Sequence, residues 1–199
     1  MARRLRLGVL ISGRGSNLEA LIEAARAPDY PAEVALVISN ETDAAGLARA
    51  RVAGIPARLV SHREPRFEAM IDTALSDAGV ELVCLAGFMR VLGADFVRRW
   101  RGRLINIHPS LLPAFPGLDT HRRALAAGVK LTGCTVHFVS AAVDAGPIIA
   151  QSEVPVLPGD DAERLAARVL AEEHRLYPQV VRMIAEGRVR FEGDRVEIR

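Results

Sequence analysis

The sequence predicts an α/β fold of three layers, in which helices cover both faces of a largely parallel β-sheet. Two observations lead to this prediction. Short apolar runs alternate along the chain with longer segments whose apolar residues recur at helical spacing. No internal repeat, low-complexity tract or linker separates these segments, and 199 residues are enough for one domain with a substantial core. We therefore expect a single domain over residues 1–199.

The elements follow from local patterns. The apolar runs that predict strands are residues 5–11, 34–38, 57–60, 82–86, 103–107, 134–139 and 148–154. The segments that predict helices are residues 17–26, 43–53, 65–78, 94–100, 121–127 and 162–177, with a second C-terminal helix over 180–185. Asp160 is expected to cap the long helix, and residues 188–199 are expected to form a polar hairpin.

The composition is that of an ordinary globular protein, with half of the residues hydrophobic and a quarter charged. The net charge of +2 is small and the basic residues are scattered among acids, so we expect no nucleic-acid partner. No apolar run approaches the ~20 residues of a membrane span, and the N-terminus lacks a signal-peptide pattern. We therefore expect a cytoplasmic protein with no membrane partner. Cys84 and Cys134 lie in apolar runs and are expected to be buried thiols.

Ligands of such sheets bind beyond the carboxyl ends of the strands. Three of these ends have polar or glycine-rich segments, namely residues 12–17, 87–92 and 106–110. In the last of them, Asn106 and His108 are two residues apart and point to the same face. An amide can donate to a developing oxyanion and an imidazole can carry a proton or a charge, which suits chemistry on a carbonyl. A hydrogen-bonded structural histidine is the alternative.

The segment 12–17, Ser-Gly-Arg-Gly-Ser-Asn, follows the first strand and opens a helix. Glycines let a ligand approach the backbone, and N–H groups at a helix N-terminus favour an anion. The dinucleotide fingerprint would need a third glycine where Leu18 stands, and the Gly-Lys-Ser/Thr of a triphosphate loop is absent. A single phosphate is therefore the favoured ligand. The alternative is a plain turn capped by Ser16 or Asn17.

Other positions keep more than one interpretation at this stage. Asp144 is either a turn aspartate or a carboxylate directed at His108. Glu173, beside His174, belongs by composition alone to a solvated helix face. Residues 87–92 either pack in the core or wall a flat heteroaromatic ligand. The histidines show neither helical i, i+4 spacing nor clustered carboxylates, so no metal site is expected.

Five motifs occur in an order and spacing that are typical of one family. They are Ile-Ser-Gly-Arg-Gly-Ser-Asn-Leu at 11–18, Leu-Ala-Gly-Phe-Met-Arg at 85–90, Ile-Asn-Ile-His-Pro-Ser-Leu-Leu-Pro at 105–113, Thr-Val-His-Phe-Val at 135–139 and Asp-Ala-Gly-Pro-Ile-Ile at 144–149. With them the chain resembles the phosphoribosylglycinamide formyltransferases, folate-dependent enzymes of purine synthesis, over nearly its whole length. The Asn-x-His pair with a distant Asp marks the wider superfamily, and the Gly-x-Gly-Ser-Asn loop narrows the resemblance to this member.

The resemblance implies the formyltransferase fold, a mostly parallel seven-stranded sheet with a Rossmann-like N-terminal half. It assigns phosphate binding to about residues 1–100, and folate binding with catalysis to about residues 101–199. The implied reaction moves formyl from the co-substrate 10-formyltetrahydrofolate to the amine of glycinamide ribonucleotide. The partners are then small molecules, no metal is needed, and the protein is a monomer or homodimer. Another formyl-folate transferase or hydrolase, or a non-catalytic nucleotide-binding module, is the alternative.

Site residues transfer from the family position by position. Asn106, His108 and Asp144 match its catalytic residues. The ribotide-binding set is Gly15, Ser16, Asn17 and Glu173. The folate-binding set is Arg63, Met89, Arg90, Val91, Leu92, Asn106, Ser140, Ala141, Ala142, Val143 and Asp144. The chain departs from many relatives at Arg14, where they have Asn, and at Leu170, where they have a long polar side chain.

Overall fold

The computed structural model describes residues 3–192 and 195–199. The strands are β1 (Leu5–Ile11), β2 (Ala32–Ser39), β3 (Ala57–Leu59), β4 (Leu82–Leu85), β5 (Leu104–His108), β6 (Leu131–Phe138), β7 (Ile148–Pro155), β8 (Val189–Glu192) and β9 (Arg195–Ile198). The helices are α1 (Ser16–Arg26), α2 (Ala45–Val52), α3 (Phe67–Asp77), α4 (Ala94–Arg99), α5 (Thr120–Ala126) and α6 (Ala162–Ala185).

Strands β1 to β7 form one seven-stranded sheet in the order β3-β2-β1-β4-β5-β6-β7. Neighbours from β3 to β5 pair in parallel, whereas β6 runs antiparallel to β5 and β7 antiparallel to β6. The expected mostly parallel α/β sheet is therefore confirmed. The chain first moves outward from β1 to β3 and then returns to add β4 on the other side of β1. Such a reversal leaves a crevice at the carboxyl ends of the central strands.

Helices lie on both faces of the sheet, and each face has its own core. One apolar cluster joins α1, α2 and α6 to the sheet, and a second joins α3 and α4 to the opposite face. Strand β1 illustrates why there are two clusters, because successive side chains of a strand point to opposite faces of the sheet. Leu7, Val9 and Ile11 belong to the first cluster and Leu10 to the second, and all four are fully buried. The predicted three layers are therefore present.

The break predicted near residue 178 is wrong. The segments 162–177 and 180–185 form one helix, α6, which contains Pro178 in its interior. Proline lacks the N–H of the helical bond and usually ends a helix. Burial of the apolar face compensates here, because Tyr177 and Val180 on either side of Pro178 are completely inaccessible to solvent.

The start of α6 differs from the prediction, whereas the C-terminal hairpin agrees with it. Asp161, and not Asp160, caps α6 by accepting the Arg164 N–H at 2.8 Å. Asp160 instead forms an ion pair with Arg168. Strands β8 and β9 pair antiparallel, as expected for a hairpin, and residues 193–194 between them lie outside the described residues.

Two further properties follow from the described part of the chain. Cys84 and Cys134 are free thiols without solvent exposure, as predicted. Within residues 3–192 and 195–199, no helix combines the length and the apolar character needed to cross a membrane.

Candidate active site

A cleft of about 770 Å³ opens at the carboxyl ends of β4 and β5. Four segments line it: the loop after β4, the end of β5, the residues before and at the start of α5, and the loop between β6 and β7. Its walls include Met89, Val91, Leu118 and Val143, which are large apolar side chains that are each more than half exposed. Exposed apolar side chains gathered in a concave site with a few polar groups are typical of a ligand pocket.

The polar end of the cleft contains a histidine–aspartate pair that is largely shielded from solvent. His108, the last residue of β5, is 5% exposed, and its Nδ1 lies 3.3 Å from Oδ2 of Asp144. Its Nε2 lies 3.0 Å from the carbonyl oxygen of Phe115. The same Asp144 oxygen accepts the Gly117 N–H at 2.8 Å. Asp144, with φ of 51°, is thus both a turn residue and a carboxylate directed at His108. The Asp144 carboxylate and the Phe115 carbonyl each accept a hydrogen bond from His108 when both of its ring nitrogens carry a proton.

Asn106 is oriented by a neighbour on the next strand. The antiparallel register of β5 and β6 places Asn106 opposite His137, with Nδ2 of the amide 3.3 Å from Nε2 of the ring. The other ring nitrogen lies 2.9 Å from the Phe138 carbonyl, so Nδ1 carries the proton and Nε2 accepts. Burial lowers the pKa of His137, which keeps this ring neutral. One Asn106 N–H is thereby used, and the second remains for a ligand.

The loop after β1 enters α1 through a left-handed glycine. Gly15 has φ of 72° and is the N-cap of α1, and no side chain forms a capping hydrogen bond there. The alternative of a plain turn capped by Ser16 or Asn17 is therefore wrong. A Cβ on Gly15 would lie 2.7 Å from the Cα of Gly46 in α2, which leaves room for glycine alone. An α-helix leaves the N–H groups of its first turn without helical partners, and these groups favour a bound anion.

Glu173 lies beside this loop, and its expected solvated position is wrong. The residue is 7% exposed, and its Oε2 accepts the Asn17 side-chain N–H at 2.7 Å. Burial raises the pKa of Glu173 to about 7, although the Asn17 bond opposes that rise. The Asn17 Oδ1 is buried without a hydrogen-bond partner within the described residues. Since buried polar atoms rarely stay unpaired, this oxygen suits a ligand donor.

The structure brings most of the predicted folate set to one cleft. The members that line it are Met89, Arg90, Val91, Leu92, Asn106, Ser140, Ala141, Ala142, Val143 and Asp144. The two alternatives for residues 87–92 both apply, because Phe88 and Leu92 are buried in the core while Met89 and Val91 face the cleft. Arg63 is different: it is exposed on the segment before α3 and does not line the cleft.

Some cleft residues were not singled out from the sequence as functional. His137 belongs to the motif at 135–139, but only the β5–β6 register reveals its contact with Asn106. His121 also lines the cleft, and burial together with the nearby His108 lowers its pKa. Within the described residues, no group of three or more His, Cys, Asp or Glu side chains is arranged to hold a metal ion.

Comparison with known proteins shows the family of this chain. The family model described as Formyl transferase matches residues 5–181. The trifunctional purine biosynthetic protein adenosine-3 of Bos taurus is 49% identical over 193 residues, which are 95% of this chain and 19% of that protein. The phosphoribosylglycinamide formyltransferase of Haemophilus influenzae is 42% identical over 193 residues, 95% of this chain and 91% of that one.

A solved structure shows the same fold. The crystal structure of glycinamide ribonucleotide transformylase 1 from Symbiobacterium toebii superposes with a TM-score of 0.94 at 51% identity, covering 100% of this chain and 95% of the other. The match to the family extends over far more than half of the chain. With both its sequence and its fold in agreement, the chain belongs to the formyl transferase family.

Proposed function

We propose that this chain is a phosphoribosylglycinamide formyltransferase. It transfers the formyl group of 10-formyltetrahydrofolate to the amine of N1-(5-phosphoribosyl)glycinamide and releases formylglycinamide ribonucleotide and tetrahydrofolate, a step of de novo purine biosynthesis. The observation that carries the proposal is that the Asn106 amide and the His108–Asp144 pair line the same polar end of an apolar cleft. The likeness to named formyltransferases over almost the whole chain supports it.

The shape and chemistry of the site suit these two substrates. The apolar walls formed by Met89, Val91 and Val143 fit a flat heteroaromatic ring, so that its reactive nitrogen faces the polar end. The loop that ends in Gly15 and opens α1 suits the ribotide phosphate. Glu173 supplies a carboxyl group beside this loop for the ribotide, near its amine. These ligand assignments are part of the proposal.

In the proposed reaction, the ribotide amine attacks the formyl carbon. A new C–N bond forms, the bond between the formyl carbon and the folate nitrogen breaks, and one proton passes from the amine to that nitrogen. The free N–H of Asn106 and a proton of His108 stabilise the negative charge that develops on the formyl oxygen, at about 3 kcal/mol per donor. Asp144 holds the ring of His108 through Nδ1. The Phe115 carbonyl accepts from Nε2, so a substrate atom must replace it before this proton can move.

A formyl-transfer assay with a control tube tests the proposal. The purified protein receives 10-formyltetrahydrofolate with or without glycinamide ribonucleotide, and release of tetrahydrofolate is followed. We expect release that depends on the ribotide. Release in both tubes would instead identify a hydrolase, and release in neither, with folded protein, would indicate another acceptor or a binding-only role.

A pair of aspartate variants tests the assigned roles. Asp144→Asn removes the charge that faces His108 and should lower kcat by about 100-fold, the scale of losing one preorganised electrostatic contact. Asp95→Asn changes an exposed aspartate on α4, and its kcat should stay within about twofold of the wild type because a surface ion pair contributes little. Turnover of Asp144→Asn at the wild-type rate would remove Asp144 from the mechanism.

A further inference from the structure

Ser12 joins the loop that enters α1 to the loop that walls the cleft. The residue follows β1 directly, and its N–H donates to the Gly87 carbonyl at 3.1 Å. Its hydroxyl oxygen accepts the Met89 N–H at 2.8 Å. Two residues before Ser12, the Leu10 carbonyl accepts the Ala86 N–H at 2.9 Å. The pairing of β1 with β4 thus continues beyond the strands, and its last bond is made by a side chain.

The direction of the Ser12 hydroxyl is fixed by a buried asparagine. The hydroxyl donates to Oδ1 of Asn40, which is 2% exposed. Asn40 is held in turn, because its Nδ2 donates to a carboxylate oxygen of Glu41 at 2.7 Å. With its single proton committed to Asn40, the Ser12 oxygen presents a lone pair to the Met89 N–H.

The cleft wall formed by residues 87–92 is otherwise held mainly near its two ends, where Phe88 and Leu92 are buried in the core. At its far end, the Gly93 N–H donates to Glu68 at 2.6 Å. Near its start, the ring of Phe88 stacks on Phe67 with a centroid distance of 6.4 Å. Met89 and Val91 between these anchors are 64% and 74% exposed, so the core does not fix them.

The loop that enters α1 is braced separately, by α2. The Gly46 N–H donates to the Gly13 carbonyl at 3.1 Å, and the Arg49 guanidinium donates to the Arg14 carbonyl at 3.0 Å. Loss of the Ser12 hydroxyl would therefore free the Met89 N–H in the cleft wall and leave the α1 loop in place.

We propose that Ser12 is a positioning residue for the folate side of the cleft: its hydroxyl sets residues 89–91 through the Met89 N–H and does not contact either substrate. That the ligand is a folate rests on the proposed function, whereas the effect of Ser12 on residues 89–91 does not. Loss of one hydrogen bond between uncharged groups is expected to weaken binding by about fivefold.

Three variants of the full chain test this proposal by equilibrium binding. Ser12→Ala removes the hydroxyl, Ser12→Thr keeps it, and Ser76→Ala removes an exposed serine hydroxyl from α3 as the matched control. Calorimetry measures the Kd of tetrahydrofolate and of glycinamide ribonucleotide separately. We expect Ser12→Ala to bind tetrahydrofolate about fivefold more weakly and the ribotide within about twofold of the wild type. Ser12→Thr and Ser76→Ala should match the wild type.

Hydrogen exchange at the Met89 amide supplies a readout without any ligand. It should become faster in Ser12→Ala and stay unchanged in Ser76→Ala, since only the first variant loses the acceptor of that N–H. Unchanged exchange, or equal weakening of both ligands, would overturn the proposal. A wild type that binds tetrahydrofolate but transfers no formyl group would refute the proposed function alone, because exchange and binding still report on Ser12.

Discussion

The buried carboxyl group of Glu173 should make the protein less stable as the pH rises toward neutrality. Burial raises the pKa of Glu173 from 4.5 to about 7 in the folded protein, and the unfolded chain restores the ordinary value. Between these two values the folded state binds more protons than the unfolded state. The free energy of unfolding therefore falls as the pH rises through this interval, and the effect levels off above about pH 7.

The size of the effect follows from the same interval. A pKa that moves from 4.5 to about 7 corresponds to about 3 kcal/mol at full ionisation, at about 1.4 kcal/mol per pH unit. Roughly 2.5 kcal/mol of this falls between pH 5 and pH 8. Glu173→Gln cannot ionise, but it keeps an oxygen for the Asn17 N–H, which is now 2.7 Å away. The variant should therefore gain about 2.5 kcal/mol on the wild type over this range.

Urea unfolding of both proteins at pH 5 and pH 8 measures this difference. Glu172→Gln is the matched control: the hydroxyl of Ser152 lowers the pKa of the Glu172 carboxyl, which is therefore ionised in the folded and the unfolded state across this range. Its difference from the wild type should be nearly the same at pH 5 and pH 8. Other titrating groups cancel when each variant is compared with the wild type at the same pH. If the unfolding free energies of Glu173→Gln and the wild type changed in parallel with pH, the buried-carboxyl argument would be refuted.

Three other outcomes can be checked. Gly15→Ala should lower the melting temperature and weaken ribotide binding, because the backbone φ of 72° is left-handed and the new Cβ would lie 2.7 Å from Gly46. The left-handed backbone alone costs about 1–2 kcal/mol. Melting curves unchanged from those of the wild type, with and without ribotide, would contradict this. Tyr177→Phe should lose about 1–3 kcal/mol in urea unfolding, since its buried hydroxyl donates to strand carbonyls at 2.9 and 3.3 Å. Cys84 and Cys134 should resist a thiol reagent at pH 8 until guanidinium unfolds the chain, since burial raises both pKa values to about 12; rapid reaction of the native protein would show otherwise.

Local patterns in the sequence predict most of the fold and the main features of the site. Apolar runs of strand length that alternate with helical spacing require a sheet covered on both faces, because such strands have no polar face to expose. Period-two geometry places Asn106 and His108 on one face of β5 whatever the rest of the fold does. The glycine-rich segment 12–17 predicts a turn that opens a helix, and α1 does begin there, after Gly15 in a left-handed conformation.

The elements that the sequence misjudged depend on contacts between distant segments. Pro178 should end a helix by its own chemistry, yet α6 continues because its apolar face is buried against the sheet and α1. Arg63 is exposed outside the cleft lining, so its assignment to the folate-binding set stays a prediction.

The sequence by itself determined the alternation of strands and helices, the α1 loop and the shared face of Asn106 and His108, since each depends on neighbours within a few residues. Tertiary structure alone decided that Asp144 reaches His108 and that a carboxyl on a polar helix segment is buried. Asn17 and Glu173 are separated by 156 positions, and only the packing of α6 on α1 makes them neighbours. Burial and partners set the charge of such groups, and no local pattern encodes either of them.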